Sequence, residues 1–498
     1  MLSFIKRIRS QHIFIFLVLL GAFLRLYRLR ETMQFMGDQG RDALIVRRML
    51  IEHHPALIGP VTSVGNMYLG PFYYYFMLVP LMITYPDPSG PAFAVALVGV
   101  ATLVLIYKLG KRMVGERAAL IALALYAVSP LAINTVRFSW NPNIVPFFSL
   151  LMIWQIYNAW RGKYGAWVWI GLFFSILIQL HYITLIMGAF AGIVWILQLI
   201  QILKKKKNAK EFFIATGIAI LIFLVSLTPL VAFDVRHGHV NEMAFASFFT
   251  HNGDHFLFLT ALKGIITSSL TLFVRNFLSL FRLTVTGTTK LLAFLFFAGS
   301  LVWFARKKKG KYIVSERLLL LFFIFSCGIL SLYRLTIYDH YLGFLYPMSA
   351  LLLGVILAHL SEIKLMKPFV GIALLVAVIF SLANTPFKEN LGYNIDMMKR
   401  TADAIQTHVV LGTQYNIFLY SPSLDFQGMN YRYFLTTGKQ APVSEDEFFN
   451  FPTLFVLDDL HDKQIFDTHH YMFAIWPNKQ VVDKFSIPGG PEVSVLKR

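Results

Sequence analysis

Long uncharged apolar blocks separated by short polar knots make up most of the chain. They are apolar on every face, unlike the one-sided stripe of a helix resting on a soluble core. Blocks of this length suit a lipid solvent, where a helix satisfies its own backbone. The pattern predicts spans near 12–27, 91–108, 118–134, 144–160, 165–181, 183–203, 211–231, 287–305, 317–336, 342–360 and 367–384. A further stretch, 68–85, is apolar enough to cross, but it contains Pro71 and Pro80, and Pro86 and Pro88 follow it. From residue 385 the character changes to polar, Asn-, Asp- and Gly-rich sequence. There Asp396 to Val410 has helical spacing, and Asn416–Tyr420 and Thr453–Leu457 read as buried strands. The expected fold is an all-α polytopic membrane domain over 1–384, with about eleven transmembrane helices and juxtamembrane helices in the first outer loop, followed by a small α/β soluble domain over 385–498.

Composition agrees. Hydrophobic residues make up 57% and charged residues 14%, where an ordinary soluble domain carries about 25% charged residues. The net charge of +19 would suit nucleic acid, but the basic residues sit in knots between apolar blocks, such as Lys204 to Lys207 and Arg306 to Lys309. These are anchors for anionic membrane lipid, and nucleic acid is excluded as a partner. Lys6, Arg7 and Arg9 precede an apolar run, as in a signal sequence, but Arg25 and Arg28 follow where a small-residue cleavage site would stand. The run therefore reads as an uncleaved first span. The single cysteine, Cys327, excludes an intrachain disulfide and a cysteine metal site.

Charge placement leaves two topologies. With the N-terminus cytoplasmic and 68–85 not crossing, the knots 6–9, 108–117, 161–163, 204–210, 306–317 and 364–367 all fall inside and hold 22 Lys and Arg. With 68–85 crossing and the N-terminus outside, the first loop becomes cytoplasmic and the count is 25.

The sequence contains no phosphate-binding glycine loop, dinucleotide fingerprint, nucleophile elbow or zincin helix, which argues against ATP-driven transport by this chain alone. The informative groups lie at the outer span ends. Asp38, in the run Gly37, Asp38, Gln39, Gly40, Arg41, Asp42, suits a general base at a membrane surface, though a solvated acidic loop would look the same. The segment Arg137, Phe138, Ser139, Trp140, Asn141, Pro142, Asn143 offers a guanidinium fork for phosphate, or an arginine snorkelling to the interface. Two more clusters join cations, His and aromatic residues: Asp234, Arg236, His237 with His239, and Arg334 with Tyr338, Asp339, His340 and Tyr341. That combination fits an anionic lipid head group, and also an ordinary interfacial belt. His181, between two spans, reads as a helix-end residue or a further site member, and Tyr73, Tyr74 and Tyr75 as interfacial packing or the wall of an isoprenoid groove. No cofactor is assigned. For a divalent metal the ligand-rich loop of His237, His239, His251, Asp254 and His255 is the better candidate, ahead of His469 and His470 in the tail, and ligand-rich loops of this kind are ordinarily just polar.

Together these residues resemble the C-type membrane glycosyltransferases, in the branch of the protein O-mannosyltransferases and lipid A aminoarabinose transferases. The likeness rests on Gly37 to Asp42 after the first span, on Leu69, Gly70, Pro71, Phe72, Tyr73, Tyr74, Tyr75, on the 137–143 segment, and on the C-terminal domain. It implies that 68–85 lies along the outer surface, which selects the first topology: a multi-pass plasma-membrane protein with a cytoplasmic N-terminus and an extracytoplasmic C-terminal domain. It also implies inverting transfer of a hexosyl or pentosyl group from a polyprenyl-phosphate donor to the hydroxyl of a protein, lipid or glycan acceptor. Asp38 matches the family's catalytic base. Arg137, Arg236, His237, Arg334, Asp339, His340 and Tyr341 become candidates for the donor phosphate and sugar, and Gln39, Arg41, Asp42 and Asn141 for support of the acceptor and loop. The chain departs from the family where Gln39 replaces a frequent Glu and Asn143 a frequent Asp. Two rivals differ in what they need. A flippase for a lipid-linked glycan needs polar residues through the middle of several spans, and a scaffold presenting the C-terminal domain has no use for Asp38.

Overall fold

The structure, a computed structural model, describes residues 2–62, 67–205, 209–250, 262–283, 299, 310–333, 335–384, 394–421, 425–447, 450–460, 476 and 480–498. Helix α1 (Leu2–Leu26) leads into the short α2 (Leu29–Thr32) and α3 (Gly37–Ile51). Then come α4 (Phe72–Thr84), α5 (Gly90–Met113), α6 (Glu116–Val128), α7 (Pro130–Asn134), α8 (Val145–Trp160), α9 (Ala166–Leu180), α10 (Leu185–Lys204), α11 (Lys210–Arg236), α12 (Val240–Thr250) and α13 (Leu262–Ser279). Helices α14 (Ile313–Leu330), α15 (Tyr346–Leu360) and α16 (Lys367–Ala383) complete the helical domain.

Every expected span coincides with helical structure except 287–305, of which only residue 299 is described. Among the described residues, five helical segments are long and apolar enough to cross a membrane unaided: Gly90–Met113, Tyr182–Lys204, Lys210–Arg236, Ile313–Leu330 and Asp339–Leu360. Helix α4 has 13 residues, about 20 Å at the helical rise per residue, against a hydrocarbon core of about 30 Å. The expected span 118–134 is broken instead of continuous. Pro130 opens α7, and the Ser129 hydroxyl caps it by accepting from the Ala132 N–H at 3.2 Å. The same hydroxyl donates to the Leu280 carbonyl, so the break is tied into the bundle.

Two buried arginines close helix ends against each other. Arg25, near the end of α1, donates to the carbonyls of Tyr126 (3.1 Å) and Ala127 (2.9 Å) in the last turn of α6. Arg137 in turn donates to the carbonyls of Leu24 (3.1 Å) and Arg25 (3.0 Å) in the last turn of α1, and to Tyr27 just beyond it (2.9 Å). Carbonyls in the final turn have no partner within their own helix, so these guanidinium groups supply it.

The C-terminal domain comprises α17 (Ile395–His408), α18 (Met429–Thr436) and a sheet of β1 (Tyr415–Tyr420), β2 (Thr453–Asp458), β3 (Gln480–Ser486) and β4 (Glu492–Lys497) in the order β1-β2-β4-β3. Strands β1 and β2 run parallel, with Phe418 opposite Val456, while β4 is antiparallel to β2 and β3. Both strands expected from sequence are buried, β1 at one end of the sheet and β2 inside it, while β3 is the exposed edge at the other end. The core of this domain is continuous with the first loop of the helical domain. Leu29, Met33, Phe35, Ala43 and Leu44 pack in one cluster with Ile395, Met398, Tyr415, Tyr431 and Tyr433. Arg30 adds a fork, giving two bonds to Asp396 at 2.8 and 2.9 Å and one to Asp87 at 2.7 Å.

Helices α6 and α15 approach closely because Gly354 lies against the Ala118 carbonyl, 2.3 Å from where a Cβ would stand. A backbone carbonyl cannot swing aside. Gly354→Ala is therefore expected to destabilise the fold by about 1–3 kcal/mol, read as a lowered melting temperature in detergent. Gly192→Ala, with nothing within 4 Å of the added methyl, should leave the midpoint in place.

Candidate active site

Helix α3 begins at Gly37, so Asp38 falls in its first turn, where the helix dipole favours a carboxylate. Gln39 is buried and its side-chain oxygen accepts from the Met36 N–H at 2.9 Å, closing the helix start. One turn on, Arg41 joins two carboxylates. Its Nη1 stands 2.9 Å from Asp38 Oδ1, while Nε and Nη2 reach Asp42 Oδ1 at 3.0 and 2.8 Å. Asp38 is half exposed; Asp42 is fully buried and takes a further bond from the Tyr74 hydroxyl at 3.3 Å. Burial pushes the Asp42 carboxyl up to about 6, with the Arg41 guanidinium pulling the other way. Burial also works against the charge of Arg41, but Asp42 and Asp38 outweigh it and hold Arg41 above its usual range.

The 137–143 segment is a junction. Arg137 is committed to the end of α1 and to the Thr32 hydroxyl at 2.5 Å. Ser139 shares a 2.8 Å hydrogen bond with the buried Tyr73 hydroxyl. Asn141 donates to the Leu180 carbonyl at the end of α9 at 2.6 Å, and Asn143 to the Phe138 carbonyl at 3.1 Å. Trp140 faces the other way, its ring 4.6 Å from that of His340. His340 lies in a 3-10 turn, Asp339–Leu345, that leads into α15. Its ring also neighbours those of Tyr341 (4.6 Å), His181 (5.7 Å) and Tyr338 (5.7 Å). His181 accepts the Ile183 N–H on Nδ1 at 3.2 Å, which leaves its proton on Nε2.

These groups enclose a cavity of about 480 Å³. Asp38, Arg41, Trp140, Asn141, His181, His340, Tyr341 and Tyr333 form its polar and aromatic part, and Arg41 is the one Lys or Arg among the described lining residues. Ile183 just before α10, Leu185, Ile186 and Ala189 from its start, Ile329 and Leu330 from the end of α14, and Phe245 and Phe248 from α12 form an apolar part. A hairpin-like stretch covers one side: Val61 pairs with Tyr68, whose carbonyl accepts from the Tyr182 hydroxyl at 2.5 Å.

Of the residues expected from sequence, Asp38, Arg41, Asn141, His340 and Tyr341 share this cavity, and Asp42 and Gln39 support α3 behind it. Four others do not line it. Arg137 is a helix cap, because the carbonyl-rich end of α1 lies within its reach. Arg236 is exposed at the end of α11, and His237 is exposed against Phe233, its Nδ1 2.8 Å from that residue's carbonyl. Asp339 faces Arg275 of α13 at 2.7 Å. Arg334 lies outside the described residues. Tyr73 and Tyr74 are buried ties, and the Tyr75 hydroxyl reaches the Ala56 carbonyl at 3.1 Å, so the tyrosine stripe is a junction and not an isoprenoid groove. Trp140, Tyr182, Tyr333 and Arg275 were not expected; only the placement of Trp140 inside the 137–143 segment hinted at one of them. In the candidate metal loop, His251, Asp254 and His255 lie outside the described residues. Asp234, His239 and Glu242 come within 4.8 Å of one another. Asp234 there caps α12, accepting from the Asn241 and Glu242 N–H groups at 2.6 and 3.1 Å.

Because Asp42 binds its proton more tightly when folded than when unfolded, its charge costs stability above pH 6, and that cost is relieved as pH falls from 6 towards 4. Asp42→Asn is therefore expected to gain melting temperature relative to wild type on going from pH 5 to pH 7. A difference between the two proteins that is constant across that range would contradict a raised, buried carboxyl.

Residues 69–231 match the family model described as dolichyl-phosphate-mannose-protein mannosyltransferase. The fold is similar to the crystal structure of ArnT from Cupriavidus metallidurans bound to undecaprenyl phosphate, with TM-score 0.58 and 14% identity over 97% of each chain. The same protein in the apo state gives a TM-score of 0.54. The apo oligosaccharyltransferase from Archaeoglobus fulgidus gives a TM-score of 0.50 and 13% identity over 89% of this chain and 65% of that one. No curated protein matches the sequence. The resemblance to C-type membrane glycosyltransferases drawn from the sequence thus holds for the fold as a whole and for the 69–231 segment.

Proposed function

We propose that the chain is an inverting glycosyltransferase that moves a hexosyl or pentosyl group from a polyprenyl-phosphate donor to an acceptor hydroxyl, with Asp38 as the general base. The observation that carries this reading is the joining of a carboxylate and an arginine to an otherwise apolar and aromatic cavity between spans. A lipid-linked sugar phosphate has the same division: a charged head, a sugar and an isoprenoid tail. The tail fits the apolar walls from α10 and α14, and the sugar ring fits the faces of Trp140, His340 and Tyr341.

In the reaction Asp38 takes the proton of the acceptor hydroxyl as that oxygen bonds to the anomeric carbon. The bond from that carbon to the phosphate oxygen breaks, and the lipid phosphate leaves with the electron pair. Negative charge therefore grows on the phosphate, where a fixed cation lowers the barrier. Arg41 is that cation. Its Nη1 passes from Asp38 to the donor phosphate, which frees the carboxylate to act as base, while Nε and Nη2 stay anchored on Asp42. The fold and family matches support a lipid-linked donor, since the similar ArnT structure holds undecaprenyl phosphate. On the topology that the family resemblance selects, the site and the C-terminal domain share the outer, non-cytoplasmic face.

In purified protein, Asp38→Asn is expected to lower kcat about 10²- to 10⁴-fold while undecaprenyl phosphate still binds. Full transfer by that variant removes Asp38 from the mechanism. For the sidedness, Glu52→Cys places a thiol at an exposed position in a chain whose own Cys327 is buried. An impermeant maleimide should label it in intact cells; labelling seen only in inverted membranes overturns the proposed orientation.

A further inference from the structure

The C-terminal domain touches α3 at its reactive end. A Cβ at Gly40 would lie 2.4 Å from the carbonyl carbon of Met429 and 2.5 Å from the nitrogen of Asn430, so α18 meets α3 backbone to side with no room for a methyl. At Gly37 a Cβ would lie 2.6 Å from Oδ2 of Asp425. That oxygen also accepts the N–H of Met429 at 2.9 Å, which opens α18. One carboxylate thus stands between the first turns of two helices from two domains, and residue 38 is next in the chain after Gly37. Both helix starts present N–H groups and the positive end of a dipole, so the anion suits the place. Burial lifts the Asp425 carboxyl above its ordinary range; the Met429 N–H opposes this, the charge of Asp38 adds to it, and Arg432 and Arg41 draw it back down.

We propose that Asp425 is a positioning residue of the transfer site, holding the first turn of α3, and with it Asp38, against the C-terminal domain. This rests on the reading of Asp38 as the base. The C-terminal domain is then a structural part of the active site, and its docking sets where the base stands relative to Arg41, His340 and the cavity.

The test uses the full chain in lipid nanodiscs, comparing wild type, Asp425→Ala and Asp425→Asn. Asp425→Ala removes the joint and is expected to lower kcat about 10- to 100-fold, the scale of a base displaced by an ångström or so. The KM for the polyprenyl-phosphate sugar should stay within about twofold, because the tail and sugar walls come from other helices and Arg41 stays anchored on the buried Asp42. Amide hydrogen exchange should quicken in the Gly37–Asp42 stretch and stay unchanged across α9 and α10. Asp425→Asn keeps an acceptor for the Met429 N–H, since Asn caps a helix as well as Asp does, and should recover most of the rate. Three outcomes overturn the proposal: Asp425→Ala with wild-type kcat, unchanged exchange at the start of α3, or a loss of donor affinity and melting temperature in step with kcat. If wild type transfers no sugar from any polyprenyl phosphate, the functional reading fails, and the exchange measurement still decides the role of Asp425.

Discussion

Where a helix ends near or within lipid, water is scarce and its last carbonyls must find donors in the protein. Helices α1 and α6 meet this requirement with arginine. Arg25 of α1 reaches the final carbonyls of α6, and Arg137, in the connection after α7, reaches back to the final carbonyls of α1. Each guanidinium offers five N–H donors in one plane, enough to take two or three carbonyls together. Removing either would strand several backbone acceptors, so the place where α1 stops is set firmly.

That stop locates everything downstream in the first loop. Arg137 also holds Thr32 of α2, and the rest of its segment reaches outward in turn, with Ser139 on Tyr73 of α4 and Asn141 on the end of α9. Tyr74, on the same helix as Tyr73, reaches Asp42, and Asp42 anchors Arg41. A line of hydrogen bonds thus runs from the cap of α1, through the tyrosines of α4, to the arginine that faces Asp38. Trp140 and His340 close the opposite side. The cavity is the space these ties leave between α3, α10 and α14, and its polar groups hold their places through chains of partners that lie outside it.

The spans were legible because a lipid-facing helix leaves a crude and repeated signature: a long run without charge. The buried strands β1 and β2 were legible for a similar reason, since both faces are covered and the run stays apolar. Strand β3, Gln480–Ser486, was not. It lies exposed at the sheet edge, and Gln480, Asp483 and Lys484 leave its Val481-Val482 pair and Phe485 without the continuous apolar run that marks β1 and β2. The break at Ser129 and Pro130 was visible as residues but was outweighed by the apolar run around it. In the site, the ion pair of Asp38 with Arg41 falls within one helical turn of sequence, although Arg41 was expected to support the loop and the donor phosphate was assigned to other arginines. His340 and Trp140 come from distant segments, and their contact depends on how α15 and the 137–143 turn approach, which no local pattern encodes.

The arginines show why residue type alone misleads at such a site. Arg137 and Arg41 both sit near the ends of helices, on segments that resemble one family's loops, yet a ring of carbonyls captures the first and two carboxylates hold the second. Arg236 is at the surface, where water screens it. Coulomb energy at a fixed 4 Å rises from about 1 kcal/mol in water to about 4 kcal/mol at an effective dielectric constant of about 20. A single guanidinium lining a mostly apolar cavity therefore acts on a nearby phosphate as several exposed ones could not. Counting cations at a membrane face overstates the site; what matters is which cation has low-dielectric walls around it and carboxylates, not carbonyls, as its resting partners. By that criterion Arg41 is selected among the described arginines, and the two carboxylates that hold it differ in exposure, Asp38 half exposed and Asp42 buried, which is the difference the proposed roles of base and anchor draw on.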